Sequence, residues 1–143
     1  MCSSDLLENN KGTVFCNYND NRLKNILPKS ISCSFYGGEK GDIIGDIISH
    51  NPFVNFKWKS KSYISQVIKT QLVGEYNFYN ILAAISIGNY FKINNSLINN
   101  AIHNYKPSNN RSQLLKTNLN TIIVDCYNAN PSSTISALNS FLK

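Results

Sequence analysis

Between Phe53 and Lys59 the chain alternates, first Phe53 and Asn55, then Phe56 and Trp58 set against Lys57 and Lys59. Such a period of two predicts a strand with one face in a core. Lys59 to Ser62 reads as a hairpin turn and Tyr63 to Val73 as the return strand, which makes an antiparallel β meander. Upstream, Thr13 to Tyr18 reads as a short buried strand. Asn19, Asp20 and Asn21 form a turn and cap signal, followed by a short helix from Arg22 to Leu27 that Pro28 stops. Ile31 to Tyr36 is a second strand closed by Gly37-Gly38, and Ile43 to Ser49 a third.

The period then changes. Phe78, Ile81, Leu82 and Ile85 stand at i, i+3, i+4 and i+7, the spacing of an amphipathic helix running to about Phe91. Asn94 or Asn95 caps a second helix that carries Leu97, Ile98, Ala101, Ile102 and Tyr105 on one face and ends by Pro107. Ser108-Asn109-Asn110 is a polar linker and a candidate domain boundary. Beyond it, Thr121 to Asp125 is a short apolar run that suits a strand buried on both faces of a parallel sheet. Tyr127 to Asn130 reads as a loop. Pro131 opens a helix with Ile135, Leu138 and Leu142 as its apolar stripe. Residues 111–143 supply one such strand and no second to pair with it. They therefore read as the opening of a domain that continues beyond them.

Composition narrows the class. Of 143 residues, 42% are hydrophobic and 15% charged, which excludes a disordered chain and a coiled coil. The longest apolar run, Ile81 to Ile85, is too short to cross a bilayer, and no signal peptide is visible. The net charge of +6 invites a nucleic-acid partner, but only Arg22 and Arg111 are arginines and the lysines are scattered. Lys57, Lys59 and Lys61 fall on alternate residues of one strand, as on a solvated or protected edge, so nucleic acid is set aside. Cys2, Cys16, Cys33 and Cys126 form no CxxC pair, and His50 and His103 lie near none of them. Free thiols in a reducing cytoplasm fit better than zinc or disulfides. Met1 to Leu6 fit nothing that follows and read as a non-native scar.

Two strings and one arginine carry chemistry. In Gly74-Glu75-Tyr76-Asn77-Phe78-Tyr79-Asn80, Asn77 and Asn80 lie at a helix N-terminus, where free N–H groups and the dipole favour phosphate or a polar heterocycle. The competing reading is a plain cap and a surface Asn. Asp125-Cys126-Tyr127-Asn128-Ala129-Asn130-Pro131 lies at the carboxyl end of a strand, where open α/β sheets bind ligands. There Asp125 suits a ribose, Tyr127 a stacked base, and the Asn amides its edge; the alternative is a turn and cap cluster. Arg111 at the boundary suits a polyphosphate, or is a solvated linker residue. Gly37 to Gly41 lacks P-loop spacing, and neither His50, His103 nor Cys126 falls in a catalytic arrangement.

In this order, Leu72 to Ala84, Asn109-Asn110-Arg111-Ser112-Gln113 and Asp125 to Pro131 resemble the Mur ligases. Tyr127 to Pro131 resembles the MurF type, the UDP-N-acetylmuramoyl-tripeptide–D-alanyl-D-alanine ligases. The likeness extends more weakly back to Val14 to Asp20. It implies an α/β fold: residues 7–108 as the later part of a central ATPase domain with a mixed sheet, and 109–143 as the first strand–helix unit of a Rossmann-like C-terminal domain. On this reading the sequence is a piece cut at both ends. The implied chemistry is ATP-dependent amide formation through an acyl phosphate, in peptidoglycan precursor synthesis, by a cytoplasmic monomer. Its substrates would be UDP-N-acetylmuramoyl-tripeptide and D-alanyl-D-alanine, with no membrane partner. ATP would meet Asn77 and Asn80 on its adenine side, Arg111 at the phosphates and Asp125 at the ribose. Tyr127, Asn128 and Asn130 would line the nucleotide or the inter-domain cleft. The P-loop and the ligands for Mg2+ would lie upstream, so the piece alone should not turn over ATP. A non-catalytic nucleotide-binding module and a folylpolyglutamate synthase-like ligase are the alternatives.

Overall fold

The computed structural model describes residues 12–108, 110–125 and 130–142. Strand β1 (Thr13–Asn17), helix α1 (Asn21–Ile26) and strand β2 (Ser32–Tyr36) form a parallel βαβ unit in which Val14 pairs with Cys33 and Cys16 with Phe35. Asp20 caps α1 as its position suggests, accepting from the N–H groups of Arg22 and Leu23.

The meander follows as β3 (Ile44–Ser49), β4 (Phe53–Ser60), β5 (Tyr63–Ile64) and β6 (Ile68–Val73), all antiparallel, with β3 on one side of β4 and β5 and β6 on the other. The return strand is broken where one run from Tyr63 to Val73 was expected. Ser65 explains the break: its N–H donates to the Trp58 carbonyl, and its hydroxyl accepts from the Trp58 N–H, both at 2.8 Å. One side chain thus stands in for a rung of the ladder, and the pairing lapses before Ile68.

Helix α2 (Asn77–Tyr90) packs on β1, β2, β3 and β4, and α3 (Asn95–Asn104) packs on β6. Val54, Phe56 and Trp58, the alternating residues of β4, bury against Phe78, Ile81, Leu82 and Ile85 of α2 and Ile98 of α3. Each such side chain contributes about 1.5–3 kcal/mol of hydrophobic burial. The Trp58 indole N–H donates to Asn99 at 2.8 Å, and the Asn99 amide donates to Tyr63 at 2.9 Å, so the polar ends of these two aromatic side chains are paired. Gly45 lets β3 approach α2. A Cβ there would stand 2.7 Å from Leu82 Cδ2 and 2.9 Å from Phe78 Cζ.

Asn94 caps α3, but only Ile98 of the expected apolar face is buried, while Leu97 and Tyr105 are exposed. The run Thr121–Val124 is a strand, β8, yet it is not the doubly buried parallel strand that its composition suggests. It pairs antiparallel with β7 (Gln113–Lys116), and Ile122 is 45% exposed. Four residues with two adjacent leucines carry no period, so β7 leaves no mark in the pattern. The turn lacks glycine and proline. Thr117 closes it instead, donating its N–H to the Asn120 carbonyl at 2.8 Å and accepting from the Asn120 N–H at 2.9 Å. The last helix, α4 (Pro131–Phe141), starts with Pro131 as expected, and its Ile135, Leu138 and Leu142 are exposed.

Candidate functional site

A cavity of about 850 Å3 lies where the end of β6, the start of α2, the turn at Arg111-Ser112, the β7–β8 hairpin and α4 meet. Asn77, Asn80, Arg111 and Asp125 all line it, although they are spread over 49 positions of sequence. A second cavity of about 400 Å3 shares Asn77, Asn80, Arg111 and Ser112 and adds Ile81, Ile102, Tyr105 and Pro107.

Local backbone builds the entrance to α2. Gly74 takes φ of +89°, and a Cβ there would run into the Tyr76 ring, so glycine lets the tyrosine fold back under the chain. The Asn77 N–H donates to the Gly74 carbonyl and the Phe78 N–H to Glu75, each at 3.0 Å. Two of the N–H groups expected to face a phosphate are therefore spent locally. Nor does Asn77 cap the helix. It is the first helical residue, the cap position is Tyr76 without a side-chain cap bond, and the Asn77 side chain is buried. Its amide donates to the Val73 carbonyl at 2.8 Å and to Ser112 Oγ at 3.0 Å. Asn80, exposed on the next turn, donates to Asn77 Oδ1 at 3.2 Å.

Tyr76 and Ser112, which the sequence reading did not single out as site residues, hold the centre. Tyr76 Oη donates to Asp125 Oδ2 at 2.6 Å and lies 2.7 Å from Ser112 Oγ. The Ser112 N–H donates to Asp125 Oδ1 at 3.2 Å. A carboxylate only accepts. The Tyr76 proton is therefore committed to Asp125, the Ser112 hydroxyl donates to Tyr76, and Ser112 Oγ accepts from Asn77. The result is one directed chain, Asn80 to Asn77 to Ser112 to Tyr76 to Asp125. Burial, with the Asp125 hydrogen bond second, pushes the Tyr76 phenol up to about 12. Ser112 is buried and has φ of +47°, and Asn110 has φ of +58°. Such left-handed non-glycine residues cost about 1 kcal/mol or more each and persist only where their surroundings hold them. For Ser112 the holding contacts are these hydrogen bonds.

Asn130 caps α4 in a reciprocal capping box with Ser133, so its side chain is engaged there, and Ser133, Thr134, Ala137 and Leu138 form that wall of the cavity. Tyr127 and Asn128 lie outside the described residues, as does Cys126. His103 Nδ1 donates to the Lys69 carbonyl at 2.8 Å, as befits a structural residue.

The profile of the Mur ligase middle domain matches residues 4–88, more than half of the sequence. The chain belongs to the Mur ligase family. Members of this family are ATP-dependent ligases. No curated protein matches the sequence. Among solved structures, MurF from Acinetobacter baumannii is similar at a TM-score of 0.79 and 22% identity, over 92% of this chain and 29% of that one. MurF ligase from Thermotoga maritima, in complex with ADP, is similar at 0.75 and 16% identity, over 92% and 30%. Folylpolyglutamate synthase from Thermotoga maritima reaches 0.59 and 19% identity, over 78% and 26%. This Mur ligase chain thus shares their fold and spans less than a third of the length of each. Among the described residues no helix is long and apolar enough to cross a membrane.

Among the described residues Asp125 is the one carboxylate lining the large cavity, held by Tyr76 and Ser112, and these residues contain no group of three or more His, Cys, Asp or Glu able to hold a metal. Magnesium takes oxygen ligands in octahedral array, and the described residues do not fit such a site.

Proposed function

We propose that this chain is the later part of the ATP-binding domain and the opening strand–helix unit of the following domain, divided near Ser108 to Arg111, of a MurF-type ligase. The parent enzyme would join D-alanyl-D-alanine to UDP-N-acetylmuramoyl-tripeptide in the cytoplasm, using ATP to form an acyl phosphate that the incoming amine attacks. The observation that carries the nucleotide reading is the convergence of Asn77, Asn80, Arg111 and Asp125 on adjoining cavities at the meeting of the two segments. The apolar wall of Ile81, Ile102 and Tyr105 suits an adenine face, Arg111 suits phosphate oxygens, and the Asp125 carboxylate suits ribose hydroxyls. The ADP bound to the Thermotoga maritima relative supports a nucleotide here, and the Tyr127 to Pro131 string supports the MurF type over folylpolyglutamate synthase.

An NMR titration of the 143-residue chain with ADP tests the reading. Shift changes centred on Asn77, Asn80, Ser112 and Asp125 are expected; a response confined to other residues, or none, overturns it. The sequence contains no GxxxxGK[ST] run, so ATP hydrolysis by this chain alone would refute the dependence of catalysis on residues outside it.

A further inference from the structure

We propose that Tyr76 is a positioning residue of this site: its hydroxyl, fed by Ser112, orients the Asp125 carboxylate so that the remaining acceptor positions face the cavity and select a ligand bearing vicinal hydroxyls. The inference rests on the nucleotide reading above. Asp125 is exposed at the cavity yet anchored through both oxygens, Oδ2 to Tyr76 at 2.6 Å and Oδ1 to the Ser112 N–H at 3.2 Å. A carboxylate has about four acceptor positions. Two are taken by Tyr76 and Ser112, and among the described residues no other group bonds the carboxylate, which leaves the others to a ligand that donates.

One anchoring group, Tyr76, comes from the far side of the crossing between segments, and the other, Ser112, from the crossing itself. Tyr76 stands just before α2 and is turned inward by the fold-back at Gly74, while Ser112 is held in a left-handed conformation. Asn77 orders Ser112 in turn, at 3.0 Å. The direction of donation along this chain leaves Tyr76 no freedom to accept from Asp125. The phenol therefore acts on the ligand only through the carboxylate, by fixing its plane, and it docks β8 against the entrance to α2. Orientation of one partner ahead of binding lowers the ordering cost when the ligand arrives.

The test compares ATP with 2′-deoxy-ATP and 3′-deoxy-ATP in NMR titrations of the native 143-residue chain and the variants Tyr76→Phe and Asp125→Asn. Native chain should prefer ATP to the deoxy nucleotides. Tyr76→Phe keeps the ring and removes the hydroxyl; it should reduce ATP affinity about tenfold, the scale of a charge-assisted hydrogen bond, and abolish most of the preference while binding the deoxy forms nearly as before. Asp125→Asn should abolish the preference as well, and the two changes together should cost no more than either alone. Equal weakening toward all three nucleotides in Tyr76→Phe marks a merely structural role and overturns the proposal while the nucleotide reading stands. Absence of any nucleotide binding by the native chain overturns both.

Discussion

Tyr76 donates a 2.6 Å hydrogen bond to Asp125, 49 residues further along the chain. The bond joins the turn that launches α2 to the end of β8, and so ties the segment before Ser108 to the segment after it. Ser112 closes the ring from within the crossing itself.

Stability should respond to alkaline pH through Tyr76. Its phenol is raised from 10.0 to about 12 in the folded chain. Below pH 10 the proton stays on in both states and the full contribution is present. Between 10 and 12 the unfolded chain ionises first and binds fewer protons, so stability falls as pH rises. Urea midpoints followed across this window should drop more steeply in the native chain than in Tyr76→Phe; parallel slopes would contradict the assignment.

Asn77→Ala should destabilise the fold by about 2 kcal/mol, because it strands the buried Val73 carbonyl and removes the donor to Ser112. Asn94→Ala, which removes only the cap on α3, should cost about 1 kcal/mol. Chemical denaturation of both variants measures the difference, and a larger loss at Asn94 would be inconsistent with a buried bridging role for Asn77.

Gly45→Ala should destabilise by about 1–3 kcal/mol, since the added methyl meets Leu82 and Phe78 inside the core. Thermal unfolding checks it. An unchanged midpoint would mean that β3 and α2 have room to separate.

Amide hydrogen exchange should divide the sheets. The β7–β8 pair is two-stranded, with Ile122 and Leu115 exposed, and an isolated pair is marginal in water. Its amides should exchange faster than those of β4, which is paired on both sides and carries the core. Comparable protection would show that the hairpin shares the main cooperative unit.

Arg111→Ala should lower ATP affinity about tenfold and leave adenosine affinity unchanged, as expected of a guanidinium that meets phosphate oxygens. Calorimetric titrations with the two ligands make the comparison; equal losses would remove Arg111 from the phosphate role.

Much of this molecule was legible along the chain. Alternation at Phe56 and Trp58 and the i, i+3, i+4, i+7 spacing at Phe78 to Ile85 determined β4, α2 and the faces they bury, because side-chain direction repeats with backbone period. Asp20, Asn94 and Pro131 marked helix starts through chemistry confined to a few neighbouring atoms. The motif strings led to Asn77, Asn80, Arg111 and Asp125, and the structure brings all four to adjoining cavities. Tertiary structure alone decided the rest. The break at Ser65 depends on Trp58 across the hairpin, and the pairing of β8 depends on a strand with no period of its own. The burial of Asn77 and the partnership of Tyr76 with Asp125 depend on Ser112, 35 and 36 residues away. Local pattern records what a residue does to its own backbone. A hydrogen bond between distant side chains leaves no such trace, because its geometry exists only after the elements have packed.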